Sequence, residues 1–85
     1  MVRLKNRVAV TVLMAVYNGE DWLERSIASV LNQTYSDFEF VIVSDGSQDD
    51  SMRIIERFAL ADSRIRAFHK ENTGLADSLN YGLER

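Results

Sequence analysis

The 85-residue chain has no cysteine, no proline, a single histidine and a single tryptophan. Without cysteine there is no disulfide, no thiolate nucleophile and no Cys-ligated zinc, and the composition fits a reducing compartment. With His69 as the lone imidazole, any site that needs two is excluded. Without proline, no turn rests on a ring-fixed φ. A surplus of positive charge is lacking as well: the net charge is −3, whereas nucleic-acid binding needs a basic field to meet the phosphates. Long hydrophobic runs are also missing. The apolar stretch at 8–16 is interrupted by Thr11 and closed by Tyr17-Asn18-Gly19. It is too short to span a bilayer, which takes roughly 20 residues, and it does not read as a signal peptide despite the basic arm at 1–7 with Arg3, Lys5 and Arg7.

What is present is ordinary globular material. Hydrophobic residues make up 46% and charged residues 27%, which argues against disorder. A chain of this size buries only roughly 60–65% of its unfolded surface, so its core is thin. The β-branched, apolar run 8–14 reads as a strand apolar on both faces, as in a buried parallel sheet. Asn18-Gly19 ends it, and Glu20 and Asp21 place negative charge where a helix starts. Leu23, Ile27, Val30 and Leu31 share one helical face, and the helix runs to about Gln33. A second strand follows at 38–43. Ser47 reads as the N-cap of a helix over 51–61 whose apolar face holds Ile54, Ile55, Phe58 and Ala59. A short third strand covers 65–68, and Leu75, Leu79 and Leu83 mark a third helix that continues to Arg85.

The order is therefore β-α-β-α-β-α. It predicts an α/β fold, a Rossmann-like three-layer unit with a three-stranded parallel sheet and right-handed crossovers. In such sheets ligands bind outside the carboxyl ends of the strands, which points to the loops at 15–20, 44–50 and 69–75. The first offers backbone groups, the Tyr17 ring and the Asn18 amide; it also reads as a plain turn in which Asn18 caps the helix. In the second, Asp45 is a carboxylate directly after a buried strand, costly unless solvated or hydrogen-bonded. It could accept from an N–H pair or a ribose hydroxyl, while Gly46 lets a ligand approach the backbone. A turn at Asp45-Gly46 with Ser47 as cap satisfies the same residues. The third loop ends in Gly74 at a helix start. No Walker loop or dinucleotide fingerprint is present. His69 reads as a surface or turn histidine, and Trp22 and Tyr35 as packing residues.

Four segments, in register, resemble one family. Thr11-Val-Leu-Met-Ala-Val-Tyr-Asn-Gly19 is similar to the opening strand and turn of family 2 glycosyltransferases with the GT-A fold. Ser29-Val-Leu-Asn-Gln-Thr-Tyr35 is similar to the end of their first helix. Asp37-Phe-Glu-Phe-Val-Ile-Val-Ser-Asp-Gly-Ser-Gln-Asp49 resembles their second strand with its D-D-G-S-x-D loop. Asn72-Thr-Gly-Leu75 and Asn80-Tyr-Gly82 resemble the N-x-G pair around their third helix.

The resemblance implies residues 8–85 as the nucleoside-binding part of an incomplete GT-A domain, and a parent enzyme that transfers sugar from a nucleotide-sugar donor, usually a UDP-sugar, to an acceptor hydroxyl. It places Ala15, Val16 and Tyr17 along the nucleoside, partly through backbone groups. Asp45 would accept from the uracil imide N–H. Gly46 and Ser47 would line that pocket, with Asn72, Gly74 and Leu75 closing its other side. Two features depart from the pattern: Ser44 stands where the family carries the first acid of a pair, and Ala76-Asp77-Ser78 stands where many relatives place a basic residue. The Mg2+- or Mn2+-binding D-x-D motif and the catalytic base are expected downstream of Arg85, so no metal ligand or catalytic residue is assigned here. The chain alone is expected to be inactive in transfer, with any membrane association left to the full-length protein. Because nucleotide sugars are cytoplasmic in bacteria and no export signal is visible, a cytoplasmic location is expected. A second reading is a non-catalytic module that self-associates through the outer edge of its first strand, which the fourth strand covers in the family. A phospho-acceptor receiver domain would need acids after the first strand, where Ala15-Val16-Tyr17 stands.

Overall fold

The computed structural model describes residues 10–33 and 37–83. Strands and helices alternate as β1 (Val10–Val16), α1 (Leu23–Leu31), β2 (Phe38–Asp45), α2 (Ser51–Ala61), β3 (Ile65–Lys70) and α3 (Leu75–Leu83). The basic arm at 1–7, the strand positions 8 and 9, Tyr35 and the last two residues lie outside the described residues.

The strands are parallel and ordered β1-β2-β3. Val10 lies opposite Phe38 and Val16 opposite Ser44; Phe40 lies opposite Ile65 and Asp45 opposite Lys70. With a neighbour on each side, β2 is buried at every position except half-buried Glu39. Its alternation divides the core. Phe38, Phe40 and Ile42 face one way and pack with Val16, Ile65, Leu23 and Ile27 of α1 and Ile55 of α2. Val43 faces the other way, toward α3. There Gly82 lets the helix press onto the sheet: a Cβ at that position would collide with Leu13 Cδ1 and lie 3.3 Å from Val43 Cγ2. Phe68 of β3 and Tyr81 of α3 add an edge-to-face contact with ring centroids 6.0 Å apart. The result is the three-layer α/β unit that the alternation predicts, with α1 and α2 on one face and α3 on the other.

Four details differ from the sequence reading. First, β1 is not a strand buried on both sides. Among the described residues it is an edge strand with one neighbour, and its burial increases from exposed Val10 to fully buried Val16. Second, all three strands extend past the ends suggested by the apolar pattern. Ser44 pairs with His69 and Asp45 with Lys70, so ladder hydrogen bonds carry polar residues into the sheet. His69 is thus an exposed strand residue. Third, α1 begins at Leu23, because residues 19–22 form a turn in which the Trp22 and Leu23 N–H groups both donate to the Gly19 carbonyl. Fourth, Ser47 does not cap α2. The helix follows Asp50, and its first N–H, that of Ser51, donates to Asp49 Oδ1 at 2.9 Å. The Ser47 hydroxyl is held elsewhere, as described next.

Candidate functional site

The parallel register brings the three predicted loops to one edge of the sheet, where they form two hydrogen-bonded clusters. The first cluster joins the loop after β1 to the loop after β2. Asn18 takes up a left-handed conformation with φ 49°. In that posture its N–H donates to Ser47 Oγ at 3.0 Å, while its side-chain Oδ1 accepts the Gln48 N–H at 2.8 Å. The Gly19 N–H donates to buried Ser51 Oγ at 2.8 Å. Two acids then exchange places across the loops: Asp49 Oδ2 accepts the Glu20 N–H at 3.1 Å, and Glu20 Oε1 accepts the Asp50 N–H at 2.8 Å. Glu20 thus serves the N-terminus of α2, not that of its own helix. Ser44 is buried, and its hydroxyl accepts the Ser47 N–H at 3.4 Å. These loops are one stitched unit built mainly from side chain to backbone bonds.

The second cluster is centred on Asp45, which is only 1% exposed at the end of β2. Its Oδ1 accepts the Lys70 ammonium at 2.9 Å and the Thr73 N–H at 2.9 Å, and its Oδ2 accepts the Gly74 N–H at 3.0 Å. Burial by itself pushes the carboxyl up. The Thr73 N–H, the Lys70 ammonium, the Ser78 hydroxyl and the Gly74 N–H together outweigh it and hold the carboxyl down, from 3.8 to about 2. The carboxylate is therefore ionised near neutral pH and acts only as an acceptor. The buried Ser78 hydroxyl lies beside the carboxylate and adds to this lowering without completing a well-formed hydrogen bond. The backbone of residue 45 is held as well: its carbonyl accepts Asn72 Nδ2 at 3.0 Å. Gly46, at φ 74°, sits so close to Asn72 that a Cβ there would lie 2.6 Å from the Asn72 nitrogen. Gly74, at φ 108°, has open space where a Cβ would point. Asp45 thereby supplies an acceptor to the two backbone N–H groups immediately before α3.

Of the predicted residues, Asp45, Gly46, Asn72 and Gly74 come together in this second cluster. Ser47 belongs to the stitched loops. Val16 is fully buried in the core on the α1 side, so only its backbone is available, and its carbonyl faces Ser47 Oγ at 3.5 Å. Ala15 is half-buried opposite Val43, Tyr17 is 47% exposed, and Leu75 opens α3. Lys70 and Thr73 were missed as members of the cluster. The signal for Lys70 was register: in a parallel sheet, an acid ending one strand lies opposite the residue ending the next.

Away from these loops, a hollow of about 310 Å3 is lined by Phe38, Glu39, Ser63, Arg64 and Arg66, where β2 and β3 begin. Its cations are paired, Arg64 with Asp62 at 2.8 Å and Arg66 with Glu39 at 2.9 Å. Among the described residues, no three His, Cys, Asp or Glu side chains gather where they could hold a metal ion. No described helix is long and apolar enough to cross a membrane.

A parallel three-layer unit with loops gathered at the carboxyl edge belongs to the open α/β class, whose ligands bind at that edge. Within that class the match is specific. The sequence model of glycosyl transferase family 2 covers residues 11–85, and the chain belongs to that family. It is 43% identical over 76 residues to an uncharacterized glycosyltransferase of Rickettsia bellii, covering 89% of this chain and 11% of the relative. To the glycosyltransferase GlyA of Streptococcus pneumoniae it is 42% identical over 74 residues, covering 87% of this chain and 11% of the relative. The fold superposes on the mannosyltransferase PcManGT from Pyrobaculum calidifontis, solved in complex with GDP-Man and Mn2+, with a TM-score of 0.81 and 26% identity over 93% of this chain and 24% of that one. The architecture is therefore that of a GT-A glycosyltransferase, and the chain spans about a tenth to a quarter of the length of these relatives.

Proposed function

We propose that this chain is the nucleoside-binding portion of a glycosyltransferase that moves a sugar from a UDP-sugar to an acceptor hydroxyl, with inversion and with the help of a divalent metal. The single observation that carries the nucleoside assignment is Asp45: an ionised carboxylate, covered by Lys70 and the 71–74 loop, at the carboxyl end of the central strand. Oδ1 takes two donors and Oδ2 takes one, so Oδ2 keeps acceptor capacity for one imide N–H of a base. Because Asp45 is almost fully buried, that N–H reaches it only as the exposed 71–74 loop yields. Ala15, Val16 and Tyr17 lie along the nucleoside in this reading, Val16 through its backbone alone. Gly46 and Ser47 line the base pocket, and Asn72, Gly74 and Leu75 close it.

The parent enzyme's metal has no home among the described residues, which bring no three ligating side chains together. A D-x-D motif of the parent enzyme would hold it. The GDP-Man and Mn2+ in the similar mannosyltransferase support a nucleotide-sugar donor and a divalent ion in general; the uracil preference rests on the family resemblance. These 85 residues are expected to bind nucleoside without transferring sugar, in a cytoplasmic protein. Titrating UDP and GDP separately into the chain, with backbone amide NMR as readout, tests the reading. Shifts of the Asp45, Gly46 and Gly74 amides at millimolar UDP support it. Their absence with both nucleotides removes the nucleoside assignment, and a response to GDP alone removes the uracil preference.

A second reading has its own observation. The outer edge of β1 has no strand beside it among the described residues, Val10 is 43% exposed, and Leu79 of α3 is 38% exposed. An uncovered strand edge is a template for pairing, so self-association of two copies through β1 is the alternative. Sedimentation as a clean monomer at high concentration removes it.

A further inference from the structure

The loop at 71–74 is exposed at every residue, with no buried apolar side chain to anchor it. Among the described residues, its side-chain-mediated hydrogen bonds run to Asp45 and Lys70: Asn72 Nδ2 to the Asp45 carbonyl, the Thr73 and Gly74 N–H groups to the Asp45 carboxylate, and the Lys70 ammonium to the Glu71 carbonyl at 2.8 Å and to Thr73 Oγ1 at 2.5 Å. Lys70 itself is a strand residue. Its backbone position, directly opposite Asp45, is set by the sheet ladder and not by the loop. All three ammonium donors are engaged, on Asp45 Oδ1, the Glu71 carbonyl and Thr73 Oγ1, and its side chain is 13% exposed.

These facts separate the partners of Asp45 into two kinds. Thr73 and Gly74 donate from a loop that has little else to hold it, and such segments open locally at low free energy. Lys70 donates from a ladder that stays put. When the loop yields to a ligand, its backbone donors leave, and a buried carboxylate without a partner takes up a proton instead of remaining charged. A protonated Asp45 would present one acceptor oxygen and one donor hydroxyl, the wrong arrangement for receiving an N–H. The ammonium beside Oδ1 prevents this, because it remains when the loop moves.

We propose that Lys70 is a positioning residue for nucleotide recognition: from its fixed place on β3 it orients the Asp45 carboxylate, keeps it a charged acceptor, and tethers the 71–74 loop that must yield to the base. The proposal rests on Asp45 as the base-binding group. It predicts that Lys70 never touches the nucleotide, yet that its removal changes both the ionisation of Asp45 and the affinity for a base.

The test uses the 85-residue chain, UDP as the probe, and the variants Lys70→Met and Lys70→Arg. In Lys70→Met the Asp45 carboxyl, followed by its 13C shift, is expected to titrate at clearly higher pH than in the unmodified chain. The Thr73 and Gly74 amides are expected to exchange faster with solvent. UDP affinity should fall by about tenfold or more, as for loss of a charge-assisted hydrogen bond. Lys70→Arg, which keeps the charge, should restore the low Asp45 titration and part of the affinity. An unchanged Asp45 titration in Lys70→Met overturns the proposal, as does UDP affinity within about twofold of the unmodified chain once the loop amides have loosened. If the unmodified chain itself does not respond to UDP, the nucleoside reading fails, while the carboxyl titration and amide exchange still decide whether Lys70 governs Asp45 and the loop. Should Lys70→Met not fold, Thr73→Val removes one tether alone: faster Gly74 exchange with Asp45 titration unaltered supports the division of roles, and unaltered exchange refutes the tether.

Discussion

The two hydrogen-bonded clusters at the carboxyl edge of the sheet solve the same problem in opposite ways. Both must hold loops in place over the ends of the strands. Between the loops after β1 and β2, the bonds are distributed: Asn18, Glu20, Ser47, Asp49 and Ser51 each take part, and acceptors from each loop serve donors of the other. At the loop before α3, the carboxylate of Asp45 accepts all three donors and its carbonyl takes a fourth. A distributed network tolerates the loss of one member, whereas a hub does not. The hub is also the group that the proposed function assigns to the base, and on that reading the exposed 71–74 loop lies beside the ligand. Loops that admit ligands are drawn from the low-stability end of a fold.

The largest effect should follow from removing the hub. Asp45→Ala leaves the Lys70 ammonium, itself mostly buried, without its carboxylate. It also leaves the Thr73 and Gly74 N–H groups, just before α3, without their acceptor. Breaking one partner of a buried pair costs on the order of 3–5 kcal/mol, a large share of what a chain this small has in reserve. The expected outcome is a urea midpoint lowered by most of the transition, with amide protection lost first along 71–83. A midpoint unchanged within error would mean that the loop is held by something other than Asp45.

Acid should release the same hub more gently. The folded carboxyl lies at about 2, below its ordinary 3.8. For a depressed carboxyl the stabilisation is fully present above the unfolded value and is lost as pH falls through the folded one. The window therefore runs from about pH 4 down to about pH 2. Urea midpoints measured across it should fall steadily in the unmodified chain. Asp49 and Asp62 are also held down, Asp49 by Ser51 and the Glu20 N–H against the upward push of burial, Asp62 mainly by Arg64. Some slope should therefore persist in Asp45→Asn, and the difference between the two curves belongs to Asp45. Parallel curves would place the acid sensitivity at other carboxylates such as Asp49 and Asp62 instead.

How much of this was legible follows from whether each feature is local. Residues 38–43 announce β2 because alternating apolar faces are a property of the run itself. Leu23 and Ile27, four apart, announce the buried face of α1 in the same way. The identity of Asp45 as a costly strand-end acid was also local. Its partners were not: Lys70 reaches it only through the β2–β3 register, and Thr73 and Gly74 only through the packing of α3. Ser47 followed the rule for a cap residue. It was misread because its hydroxyl meets the Asn18 N–H, 29 residues away in sequence. Glu20 and Asp21 suggested a helix start by charge, yet the Glu20 carboxylate serves the helix on the far side of the next strand. Ser44 and His69 carry no strand propensity to speak of and join the sheet because neighbouring ladders extend to them. Local pattern thus gave the elements and the position of the site, while cross-chain bonds set the ends of the elements and the company of the acid.

The smallest effect, and the sharpest contrast with Asp45, should come from Asn18. Two separate features meet there: a left-handed φ of 49° and an Oδ1 that accepts the Gln48 N–H. Asn18→Ala forfeits both. Asn18 also carries a Cβ, so Ala loses only the local relief that the amide side chain gives in this conformation, about 1 kcal/mol or less, and the lost hydrogen bond, at an exposed site where water can replace it, adds about 0.5 kcal/mol. Asn18→Gly loses the same hydrogen bond but adopts positive φ without strain, so its stability should lie within about 0.5 kcal/mol of the unmodified chain. In both variants the backbone N–H of residue 18 can still donate to Ser47 Oγ, and the Gly19, Glu20 and Asp50 N–H groups keep their acceptors. Amide exchange at Gly19 and Glu20 should therefore be nearly unchanged in Asn18→Gly. If those amides open as widely as Thr73 and Gly74 do in Asp45→Ala, the bonds between the first two loops are not redundant, and the stitched unit depends on Asn18 as the third loop depends on Asp45.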